Sequence, residues 1–108
     1  MRRASWLPEA ALALALIAAA APGAAGELPA QRQAELRHLL DHDCGSCHGL
    51  TRRGGLGPAL SATALGDRDD DFLIDTILLG RRGTPMAPWG SELSRDDARW
   101  LVDRMRGR

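Results

Sequence analysis

Cys44-Gly45-Ser46-Cys47-His48 is the stretch on which the reading of this 108-residue chain turns. Two thiols three positions apart, followed at once by an imidazole, form the C-x-x-C-H pattern of covalent c-type haem attachment. The cysteines can reach the two vinyl groups of one haem, and the histidine then lies under the iron as an axial ligand. The chain has only these two cysteines, so no disulfide framework competes for them. Three other chemistries use the same residues. A thioredoxin-like redox pair needs a strand–turn–helix context in a βαβ unit, and none is visible. A zinc site of His42, Cys44, Cys47 and His48 would crowd four ligands into seven residues, a poor basis for tetrahedral coordination. A plain disulfide is the third. Haem is the preferred reading.

Upstream lies an export pattern. Met1-Arg2-Arg3 is a short basic start, Ala10 to Ala21 is an almost unbroken apolar run of 12 residues, and Gly23, Ala24, Ala25 and Gly26 are small. That order marks a secretory signal peptide. We expect residues 1–25 to be the signal, with cleavage near 25/26, and residues 26–108 to form one monohaem domain. The apolar run is shorter than the roughly 20 residues of a membrane span, so cleavage is preferred over retention as an anchor. Arg2-Arg3 also suggests twin-arginine export, but the pair sits at the extreme start, so ordinary secretion is preferred. The destination is the periplasm, across a bacterial inner membrane, with no stable membrane association after signal removal.

Cleavage would leave about 82 residues, a size at which a domain often needs a disulfide, metal or cofactor for stability. Removing Arg2, Arg3 and Glu9 leaves 12 arginines against 13 acidic residues, with no lysine. That balance excludes the strong basic footprint of a nucleic-acid-binding protein.

The rest of the chain reads as all-α, three main helices joined by Gly/Pro-rich loops. A first helix is expected from about Pro29 to Asp43, with Leu36, Leu39 and Leu40 as its apolar stripe. It delivers the chain directly into Cys44. Gly49, Gly54, Gly55, Gly57 and Pro58 break regular structure between His48 and Leu60. A second helix starts near Asp67 to Asp70, with Asp69, Asp70 and Asp71 at its positive end. Phe72, Leu73, Ile74, Ile77 and Leu78 are its expected buried face, and Gly80 its stop. Pro85 and Pro88 keep the next loop from being helical throughout. The third helix follows Ser94, which with Asp97 resembles a capping box with Asp in place of Glu. Ala98, Leu101, Val102 and Met105 form its apolar face, with Trp100 at one edge.

From Leu36 to Arg106 the chain resembles a small class I c-type cytochrome. The resemblance rests on C-x-x-C-H at Cys44–His48, G-P-x-L at Gly57–Leu60, T-P-M-A-P-W at Thr84–Trp89, and the closing amphipathic helix. The run from Asp43 to Thr51 and the compact length are similar to small monohaem cytochromes encoded with denitrification enzymes. The resemblance implies three helices wrapped around one covalently bound haem c. It implies that Cys44 and Cys47 hold the haem as thioethers and that His48 is the proximal iron ligand. It also implies that the Pro58 carbonyl accepts the other ring N–H of His48, the kind of contact that orients a ligating imidazole. Read without the resemblance, Gly57-Pro58 is a turn.

Met86 is the candidate distal ligand. It sits in a Pro-flanked loop 38 residues after His48, whereas Met105 is better placed for the core. The plain alternative is a packing methionine. His38 and His42 are rival sixth ligands, but both lie on the helix entering the motif and read as surface histidines. Trp89 is expected to pack on haem and offer its N–H to a propionate. Trp100 is expected to pin the last helix to the first. Arg52-Arg53 and Arg81-Arg82 are two basic pairs in haem-flanking loops, suited to propionates, to an acidic partner, or to solvent alone.

His/Met ligation fills both axial positions and raises the potential. The expected function is therefore a monomeric periplasmic one-electron carrier, not an enzyme, working with periplasmic redox partner proteins. The denitrification likeness implies electron supply to nitrite reductase or service to the maturation of its haem. Two alternatives stay open: a small haem enzyme or haem-modifying accessory with a labile Met86, and a fixed cytochrome subunit of a larger redox complex.

Overall fold

Five α-helices and one π-helical turn, with no strand among the described residues 27–108, make up the computed structural model. The expected signal at 1–25 lies outside those residues. The helices are α1 (Ala30–Leu39), α2 (Gly45–His48), α3 (Ala62–Leu65), α4 (Asp70–Leu79) and α5 (Arg95–Met105).

The first helix does not stop at Asp43 as expected. A π-helical turn, Leu40–Cys44, carries α1 straight into α2, so the C-x-x-C-H residues lie on helical backbone rather than beyond it. No proline interrupts this run, and the first breaker is Gly49, at φ 92°. The orphan carbonyls at the end of α2 are met by the glycine loop. Gly57 N–H donates to Cys47 at 2.8 Å and Gly54 N–H to His48 at 2.8 Å.

The short helix α3 is a further addition to the expected three. Ser61 caps it, its hydroxyl accepting from Ala64 N–H at 3.1 Å. Helix α4 begins where the aspartates suggested: the Asp69 carboxylate accepts from the N–H groups of Asp71 and Phe72. It ends at Gly80. In α5 the capping box is complete, Ser94 Oγ accepting from Asp97 N–H and the Asp97 carboxylate accepting from Ser94 N–H.

Two apolar clusters join these helices. Leu36, Leu40, Leu93 and Leu101 form one, and Ile74, Ala98 and Val102 the other. Each fully buried leucine or isoleucine contributes about 2 kcal/mol, so this small set makes a modest core. Polar clamps supplement it. Arg32 of α1 holds Asp97 of α5 through Nε at 3.1 Å and Nη2 at 2.7 Å. Arg106 donates to Asp70 and to the carbonyls of Gly66 and Arg68. Trp100 packs beside the first cluster and between two guanidinium groups, Arg37 of α1 at 5.4 Å and Arg104 at 5.0 Å from its ring centre. This is the α1–α5 pin expected of it.

Phe72 corrects the expected core. It is 58% exposed and turns toward the cavity described next, not into the helix packing.

Candidate haem site

The helical hairpins leave one large cavity, of about 650 Å³, between the motif, the glycine loop, α4 and the loop that follows it. This volume suits an organic cofactor. Cys44, Cys47, His48, Pro58, Met86 and Trp89 all line it. These residues span more than 40 positions, so the fold, not the sequence alone, gathers them.

His48 is set by the Gly57–Pro58 turn. Its Nδ1 donates to the Pro58 carbonyl oxygen at 2.7 Å. A carbonyl can only accept, so a proton sits on Nδ1, which leaves Nε2 as the nitrogen that would meet a metal. The adjoining Gly57 leaves room for the ring. A Cβ there would fall 2.8 Å from both His48 Nδ1 and Cε1. The sequence marks Gly57 as the start of G-P-x-L and as part of a turn; the steric need for glycine beside the His48 ring comes from the fold.

Cys44 and Cys47 are half-buried and not joined to each other. Burial, helped by the neighbouring Asp43, pushes the Cys44 thiol up to about 11. The strand–turn–helix setting of a dithiol redox pair is missing, since the described residues hold no strand. The zinc alternative fails on placement, since His42 lines no part of the cavity. Among the described residues no three His, Cys, Asp or Glu side chains are grouped to hold a metal ion.

The Met86 loop is bound tightly to the end of α4. Trp89 N–H donates to Ile77 at 3.0 Å, Gly90 N–H to Leu78 at 3.0 Å and Arg81 N–H to Met86 at 3.1 Å. Thr84 Oγ1 donates to the Arg81 carbonyl at 2.7 Å and accepts from Met86 N–H at 3.3 Å. Gly80 lets the two backbones meet. Its φ of 68° with ψ of −172° is a region open almost only to glycine. Met86 is half-buried at the cavity wall. Met105 also reaches this wall, but from within α5 and packed beside the leucine cluster.

His38 and His42 stay outside. Arg81 lines the cavity and Arg82 does not. Arg52 and Arg53 line a separate cleft of about 480 Å³ that shares Ala59, Leu60 and Met105 with the cavity. Arg52 is ion-paired with Asp41 at 2.8 Å. Arg68 reaches the cavity wall and was not singled out by the sequence; a lone arginine in a loop gives no such signal.

The residues fit a haem c. Two unjoined thiols, an imidazole oriented by a backbone carbonyl and a thioether share one wall system. Large apolar side chains with little protein to cover them, Leu56 at 78% and Phe72 at 58% exposure, line the same space. Exposed apolar groups gathered in a concave site mark a ligand surface.

Comparison with known proteins agrees. Residues 31–103 match the family model for cytochrome c oxidase, cbb3-type, subunit III. Cytochrome c55X of Pseudomonas aeruginosa is 59% identical over 96 residues, covering 87% of this chain and 81% of that protein. The solved structure of the c-type cytochrome NirC is 59% identical with a TM-score of 0.71, covering 72% of this chain and 92% of that one. A dihydro-haem d1 dehydrogenase, NirN, is 33% identical with a TM-score of 0.59, covering 64% of this chain and 15% of that one. From a cavity built for a tethered cofactor and from these likenesses together, the chain belongs to the c-type cytochromes, electron-transfer proteins that carry covalently bound haem c with its iron.

Proposed function

We propose that this chain is a periplasmic one-electron carrier of denitrification, its haem c tethered by Cys44 and Cys47 and ligated by His48 and Met86. The reading is carried by one observation: the four residues, with Pro58 and Trp89, line a single cavity. When bound, haem c supplies a one-electron Fe(III)/Fe(II) couple whose potential the axial ligands set. The chain's own residues do the rest. Pro58 fixes the ring and tautomer of His48, and the hydrogen-bonded Arg81–Trp89 loop presents Met86. Leu56 and Phe72 would keep water from the cofactor, and Trp89 would offer its indole N–H to a propionate. His48 and Met86 would both hold the iron, which would leave substrate no free place on it and favour outer-sphere transfer over catalysis. Residues 1–25 direct export and are removed, leaving a monomer. Among the described residues no helix is long and apolar enough to cross a membrane.

Two services fit the denitrification context: electron supply to nitrite reductase, or service to the maturation of its haem. The likeness to the dihydro-haem d1 dehydrogenase supports the second. A dehydrogenation releases two electrons and two protons, so a one-electron carrier must meet such an enzyme twice per product. Rapid mixing of the oxidised carrier with that dehydrogenase and its dihydro-haem d1 tests this. We expect two carriers reduced per product formed. Oxidation of the reduced carrier by nitrite reductase, with no reduction of the oxidised carrier by the dehydrogenase, would assign the other service. Transfer to neither would contradict the reading.

A further inference from the structure

The chain has three histidines, and only His48 belongs to the cavity. The other two stand together on the outer surface. His38 lies in the last turn of α1 and His42 in the π-helical turn, and both are exposed. Positions four apart on a helix share a face, and histidines so spaced chelate zinc in helical metal sites. Here the pairing is already made: the ring centres are 4.3 Å apart and the planes tilted by 44°.

We propose that His38 and His42 form a surface site for a divalent first-row transition ion, Cu(II) foremost. Two imidazoles bonded to one ion at about 2.1 Å per metal–nitrogen bond bring their ring centres to roughly 4.5–5 Å. The observed pair therefore stands close to the chelating geometry, and small rotations of two exposed side chains complete it. Imidazole suits copper, nickel and zinc, and the order of affinity places Cu(II) first. No third His, Cys, Asp or Glu joins the pair among the described residues, so water completes the coordination shell. The site is accordingly one that loads and releases its ion, unlike a closed structural centre. Asp41, the acidic neighbour between them in sequence, is committed to Arg52 at 2.8 Å. The π-helical turn that positions His42 is a helix irregularity often found where a function is served. The inference stands apart from the haem reading, because it uses neither the cavity nor its ligands.

The haem-loaded chain tests it by titration with Cu(II), followed by calorimetry and electron paramagnetic resonance, with the haem spectrum recorded at each point. We expect one ion bound, with hyperfine coupling from two imidazole nitrogens. His38→Ala and His42→Ala should each weaken binding by about tenfold or more, as chelation reverts to a single contact. Zn(II) should compete less well than its concentration alone would allow. The haem spectrum should not move. Coupling to only one imidazole nitrogen, or unchanged affinity in either variant, would overturn the proposal. So would copper uptake that alters the haem spectrum, because it would place the ion at the cavity.

Discussion

Gly80 stands against Met86 with no space for a side chain: a Cβ at Gly80 would fall 2.8 Å from the Met86 carbonyl oxygen and 2.7 Å from Pro88 N. The last turn of α4 thus sets the position of the loop that presents the candidate distal ligand. Gly80→Ala combines this backbone clash with a strained dihedral pair, a cost of about 2 kcal/mol or more. We predict a lower melting temperature for the haem-loaded protein and a weakened red absorption band of methionine-ligated ferric haem. A variant with both unchanged would show that the loop does not depend on this contact.

Met86→Ala tests the ligand itself. The reduced spectrum should shift toward high spin, carbon monoxide should bind rapidly at neutral pH, and the potential should fall. If the spectrum is unchanged, another residue is the ligand. Met105, at the same cavity wall, would be examined next, through Met105→Leu.

Asp97 ties pH to stability. Its side chain is only 8% exposed, and the hydrogen-bonded Arg32 guanidinium, with the Ser94 N–H and hydroxyl, holds its carboxyl below the usual carboxylate range. A depressed folded-state value stabilises the fold above the unfolded value of about 3.9, and that stability is lost as pH falls through the lower folded value. Asp97→Asn should cost about 2 kcal/mol at neutral pH, and the gap to the native protein should close below about pH 4. Urea unfolding at the two pH values measures this. A gap that persists in acid would remove the carboxylate charge from the account.

Arg81 lines the cavity and Arg82 adjoins it in the Met86 loop. Reversing both charges, Arg81→Glu with Arg82→Glu, should slow electron exchange with an acidic partner, most strongly at low salt. Stopped-flow rates across an ionic-strength series give the answer. Rates that match the native protein at every salt concentration would take this face out of docking.

Much of this was readable in the chain because the governing chemistry is local. Cys44 to His48 is contiguous, and the Asp69 and Ser94–Asp97 caps act within three residues. The proline-flanked loop carrying Met86 declares itself by composition. What was not readable is of two kinds. A π-helical turn leaves no mark in apolar periodicity, so α1 was expected to end before Cys44. The four-residue helix α3 is too short to show periodicity at all. The other kind depends on contacts far apart in sequence. Arg32 and Asp97 meet across 65 positions. Phe72 facing a cofactor has the same sequence pattern as a phenylalanine facing protein, and only the fold separates them. Arg68 reaches the cavity wall without any local signal.

A haem bonded to Cys44 and Cys47, in the cavity that holds His48, adds a fixed mass to the polypeptide. Intact mass of the exported protein, measured after denaturing extraction, tests it most directly. We expect a coloured chain heavier by one haem, with the added mass located on the peptide containing Cys44 and Cys47. A colourless chain of polypeptide mass, exported by cells competent in cytochrome c assembly, would contradict it.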